Sequence, residues 1–70
     1  MSPILEMQQA GLSYTKARLI AEALRDEAPR SKRWASRETL YRPQNRLADL
    51  AIRMGCPREC AMSVALSFVD

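Results

Sequence analysis

The sequence predicts an all-α fold, a small bundle of three main helices with one or two short ones. Three observations carry that expectation. Ala17, Ile20, Ala21, Leu24 and Ala28 recur at the spacing of one buried helical face, and Leu47, Leu50, Ala51 and Met54 form a second such face. No stretch alternates apolar and polar residues, and Ile20, Ile52 and Val64 fall inside the helical periods. Gly11, Pro29, Pro43, Gly55 and Pro57 punctuate the chain where those periods end. Seventy residues make a single domain, residues 1–70, with a small core and no internal repeat that stands out.

Taken in order, Ser2 and Pro3 open a short first helix as cap and first helical residue, and Gly11 closes it. Ser13 caps the second helix, and Pro29 is expected to stop it, because the residue before a proline avoids helical geometry. Arg30–Ala35 shows no period and reads as a loop; Ser36 then caps a short helix, Arg37–Arg42, interrupted by Pro43. The third main helix starts at Gln44 or Asn45 and ends at Gly55. Pro57 enters the first turn of the last helix, Glu59 suits the dipole there, and the helix runs to about Val69.

Function classes narrow by chemistry. There is no histidine, no glycine-rich phosphate loop and no visible base for either thiol, so the sequence predicts no enzyme and no cofactor. Cys56 and Cys60, four residues apart, are too few for structural zinc and are expected as buried free thiols in a reducing cytoplasm. The most apolar stretch, Cys60–Val69, is about ten residues long, too short to span a bilayer.

The charge is concentrated. Residues 30–46 hold Arg30, Lys32, Arg33, Arg37, Arg42 and Arg46 against Glu38 alone, a balance of +5, while each flank carries −1, which accounts for the whole +3. Such a footprint fits a polyanion or an acidic protein surface. Trp34, inside it, is either a lid on the small core or an exposed platform for stacking and cation–π contact. With Tyr41 it also admits single-stranded nucleic acid.

One local pattern points further. Ala51 is small enough for a second helix to cross closely, and Gly55 permits a left-handed turn. Met54 and Cys56 plug the elbow, while Ala61 and Val64 pack back. These residues resemble a helix-turn-helix. GLSYTKARLIAEAL at 11–24 resembles the first helix of winged helix-turn-helix regulators of the TrmB type, and LADLAIRMGCPRECAMSVALSFV at 47–69 resembles their helix-turn-helix pair. The resemblance covers about half the chain, and the wing hairpin would begin where the chain ends, at Asp70. It implies a DNA-binding regulator in which Pro57, Arg58, Glu59, Met62 and Ser63 face the major groove and Arg58 reaches a guanine or a phosphate. Arg30, Lys32, Arg33, Arg37, Arg42 and Arg46 would serve the phosphates.

The last helix also supports a second class of function. Ala61, Val64, Ala65 and Phe68 make one apolar face, and Met62, Leu66 and Val69 make another. A helix apolar on two sides within so short a chain suggests a homodimer contact, or a protein–protein inhibitor or adaptor anchored through Trp34, Met62, Leu66 and Val69 on a larger enzyme.

Overall fold

A computed structural model describes residues 2–37 and 42–69, with the backbone alone for residues 31–37. It is all-helical among the described residues: α1 (Pro3–Gln9), α2 (Tyr14–Arg37), α3 (Pro43–Arg53) and α4 (Arg58–Leu66). Helix α1 packs against α2 and α4, and α3 packs against the same two, so the helices close a ring around one core. Twenty-four residues at about 1.5 Å each make α2 about 36 Å long. The long axis of the molecule measures 35 Å, so α2 sets it.

The core follows the sequence periods. Ala17, Ile20, Ala21, Leu24 and Ala28 of α2 are all buried. In α3, Leu47, Ala48 and Ala51 are buried, whereas Leu50 and Met54 pack against the core from its edge. Among the described residues, seven of the fourteen buried apolar ones are alanine. Small side chains let helices approach closely but supply little apolar volume, so the few large buried groups, Met7, Ile20, Leu24, Leu47 and Val64, carry most of the burial.

Pro29 does not end α2; the helix continues through it to Arg37, and the expected loop at Arg30–Ala35 is helical. An interior proline removes one N–H donor and crowds the preceding turn, at a cost of about 3 kcal/mol. Contacts on the neighbouring residues flank it. Ala28 is buried next to the exposed Pro29. Two residues before the proline, Glu27 accepts from Arg46 of α3 at 3.0 Å and pairs with Arg30 at 3.8 Å, across the proline. Five of the eight residues beyond, Arg30, Lys32, Arg33, Ala35 and Arg37, are good helix formers.

Other boundaries shift as well. Ser36 and Arg37 are the last residues of α2 and open no separate helix; residues 38–41, with Tyr41, lie outside the described residues. Arg42 is the N-cap of α3, and Pro43 takes its first turn. Pro57 caps α4 from outside, and α4 ends at Leu66, three residues before Val69. The chain then tightens into i→i−3 bonds, from Phe68 N–H to Ala65 O at 3.0 Å and from Val69 N–H to Leu66 O at 3.3 Å. Among the described residues, no helix is long and apolar enough to cross a membrane.

Candidate functional site: two glycine corners and their exposed helix faces

The α3–α4 corner forms as the small-residue spacing requires. Gly55 sits at φ +108°, in the left-handed half of the map that side chains avoid. Its N–H donates to Ile52 O at 3.0 Å, and the Cys56 N–H donates to Ala51 O at 2.9 Å. Those two bonds satisfy carbonyls that the end of α3 would leave open, in the Schellman arrangement. Ala51, Cys56, Ala61 and Val64 are buried at the elbow.

The α1–α2 corner repeats this frame. Gly11 has φ +112°. Its N–H donates to Gln8 O at 3.0 Å, and the Leu12 N–H donates to Met7 O at 3.1 Å. Counted from the glycine, Met7 matches Ala51 four residues before, Ala17 matches Ala61 six after, and Ile20 matches Val64 nine after. All six are buried. The signal was present in the sequence as a shared spacing, but side-chain identity hides it, because besides the glycine only the alanines six and ten residues on (Ala17 and Ala61, Ala21 and Ala65) are common to both. The corners also touch: a Cβ placed on Gly55 would stand 3.2 Å from Lys16 Cε, so the lysine stem of α2 lies over the second turn.

The exposed faces beyond the corners differ. On α4, Arg58, Glu59, Met62, Ser63 and Leu66 are exposed. Of the second apolar stripe expected there, Met62 and Leu66 do face solvent, at 43% and 51% exposure, and Val69 is half-buried. On α2, the first two turns expose Tyr14, Thr15, Lys16, Arg18 and Leu19. Ser13 Oγ accepts from the Lys16 N–H at 3.2 Å and so caps α2, as the sequence suggests. Arg18 Nε donates to Glu22 at 3.0 Å across an exposed i,i+4 pair. Such a pair is worth well under about 1 kcal/mol and is readily exchanged for another partner.

The cations of the central stretch are divided by the fold. Arg46 is half-buried and straps α3 to α2 through Glu27 Oε1. Arg30 and Arg42 are exposed. Lys32, Arg33 and Arg37 lie on the last turns of α2, but their side chains lie outside the described residues, as does that of Trp34.

Between α3 and α4 runs an open groove of about 290 Å³. Ala48, Ile52, Ala61 and Met62 form its apolar floor, and Asn45, Asp49 and Arg58 its polar rim. At the α3–α4 corner are two buried free thiols, Cys56 Sγ and Cys60 Sγ, 3.5 Å apart. Each also donates to Pro57 O, at 3.6 Å and 3.5 Å respectively. Burial, and then the bond to Cys60, pushes the Cys56 thiol up to about 12. A thiol so placed is a packing group and a poor nucleophile at neutral pH. Among the described residues, no group of three or more His, Cys, Asp or Glu side chains is placed to hold a metal.

Comparison with protein-family models, with curated proteins and with solved structures gives no match. Any functional reading therefore rests on this chain's own geometry and charge.

Proposed function

We propose that this chain is a small DNA-binding regulatory protein of the helix-turn-helix kind. The observation that carries the reading is the glycine corner, in which a short helix, a left-handed turn locked by two hydrogen bonds and a second helix leave the outer face of that second helix open to solvent. The cations of residues 30–46 supply the phosphate contacts that such a unit needs, with exposed Arg30 and Arg42 foremost, Lys32, Arg33 and Arg37 on the same helix as Arg30, and Arg58 at the start of α4. Arg46 contributes mainly by holding α2 and α3 together.

The test is fluorescence anisotropy of labelled random-sequence duplex DNA at two salt concentrations. With about four phosphate contacts, affinity should fall at least roughly a hundredfold between 50 and 200 mM salt. Absence of binding at the lower salt defeats the proposal.

A second reading is favoured by the α3–α4 groove. Its apolar floor and the exposed Met62 and Leu66 fit an acidic, amphipathic protein segment better than they fit a phosphate backbone. On that reading the chain is an inhibitor or adaptor, and Met62→Asp abolishes binding to the protein partner without unfolding the chain.

A further inference from the structure

We propose that the groove between α3 and α4 receives a second copy of this chain, so that the protein pairs through it as a two-fold dimer. Pairing of this kind goes beyond the DNA-binding reading and does not depend on it. Two features of the groove, its relief and its charge, fit a second copy.

The relief has a projecting part and a receiving part on one face. Arg58, Met62 and Leu66 recur every fourth residue and so form one stripe along α4. Met62 and Leu66 project from it, 43% and 51% exposed. Beside them the groove opens about 290 Å³ over Ala48, Ile52 and Ala61. Two of those three side chains are single methyl groups, which leaves the floor low. A two-fold contact uses the same patch on both copies, so that patch must carry both what is inserted and what receives it. Here Met62 of each copy covers the hollow of the other, and exposed apolar surface is buried on both sides.

Charge sets the pairing. Asp49 stands on the α3 wall and Arg58 on the α4 wall, and both are exposed. The two walls sum to zero in a chain whose net charge is +3. Two such chains repel as wholes, and a neutral patch is where they meet at least cost. The axis that inserts Met62 also sets Arg58 against the partner's Asp49 and Asp49 against the partner's Arg58. An acidic segment of another protein meets Asp49 as well as Arg58, whereas a second copy answers both walls. Pairing also adds apolar burial to a small chain in which half of the described buried apolar residues are alanine. It leaves the next stripe of α4, Glu59 and Ser63, open to solvent, and it commits Arg58 to the partner while Arg30 and Arg42 stay free of the contact.

The experiment is sedimentation of the full chain at rising concentration, without DNA, so that its outcome is separate from that of the DNA-binding reading. The unmodified chain should pass from the mass of one chain to that of two. Met62→Asp should weaken pairing at least roughly tenfold, because it places a charge over the apolar floor, while circular dichroism shows the helices unchanged. The charge pairing has a sharper test. Asp49→Arg and Arg58→Asp each turn two attractive pairs into two repulsive ones, so each variant alone should pair at least roughly tenfold more weakly. Mixed in equal amounts, the two variants carry only arginine on one chain and only aspartate on the other at these positions. The mixture should therefore recover the two-chain mass, which contacts inside one chain cannot produce. The inference is overturned if the unmodified chain stays single at every concentration, if Met62→Asp pairs as well as the unmodified chain, or if the mixed variants pair no better than each alone.

Discussion

The corner at Gly11 and the corner at Gly55 close with the same two hydrogen bonds, yet they are filled from opposite sides. In the first, the bulk comes from Met7, fully buried on the helix that precedes the turn. In the second, the equivalent residue is Ala51, and the buried pair Cys56 and Cys60 follows the turn. The helix after the first corner is capped by the Ser13 hydroxyl and runs for 24 residues; the helix after the second has no side-chain cap and runs for 9. A glycine with positive φ and two backbone bonds thus fixes a corner regardless of its filling, and the filling sets how stable it is and what it presents.

That difference makes Met7 the most sensitive position of the pair. Met7→Ala removes a fully buried side chain from a core in which alanine makes up half of the described residues, and should destabilise the chain by about 2–5 kcal/mol. For a domain of this size that lowers the midpoint of thermal unfolding by at least about 10 °C. The reciprocal change, Ala51→Met, adds bulk at a fully buried position, and should cost about 1–3 kcal/mol by overpacking. Urea unfolding of both variants checks the order. If Ala51→Met is the costlier, the second corner is the tighter of the two.

How much of this was legible beforehand varies by region. The buried face of α2 was readable because five small or aliphatic residues keep a strict helical period. The helix ends at Gly11 and Gly55 were readable because each glycine follows such a period. The continuation of α2 through Pro29 was not readable, because what sustains it is non-local: Glu27 meets Arg46, nineteen residues away, and residue-by-residue propensity contains no such term. The first corner was missed as a partner of the second for a related reason. The frame is written in backbone hydrogen bonds, and the matching positions carry methionine in one case and alanine in the other. The division of the basic stretch into a structural arginine at Arg46 and exposed ones at Arg30 and Arg42 likewise depends on tertiary contacts.

The thiols separate the corners by pH. The first corner's filling has no titrating group, whereas burial holds the Cys56 thiol neutral to about 12 against an ordinary value of 9.0. Between those two values the unfolded chain gives up a proton that the folded chain retains. Stability therefore falls as pH rises through that window, by at most about 1.4 kcal/mol per pH unit, and this contribution is constant below it. The readout is the difference between the unmodified chain and Cys56→Ala, at pH 8 and at pH 10, which cancels whatever the rest of the chain contributes. The gap in unfolding free energy should narrow or reverse at the higher pH. A gap that stays constant places the alkaline sensitivity elsewhere.

The smallest expected effect isolates the contact between the corners. Gly11→Ala and Gly55→Ala each force a Cβ into φ near +110°, which should cost about 1–3 kcal/mol in either place. At Gly11 the added carbon meets open space, whereas at Gly55 it meets Lys16 Cε at 3.2 Å, which must move by a few tenths of an ångström. Because that atom belongs to the flexible end of a lysine, the excess at Gly55 should stay below about 1 kcal/mol. Shortening the lysine removes the obstacle: in a Lys16→Ala background, Gly55→Ala should cost no more than Gly11→Ala. The four-variant cycle measures the coupling directly. A coupling indistinguishable from zero means that Lys16 leaves Gly55 at no cost. The two corners are then neighbours that fold on their own terms, joined only through the core beneath them.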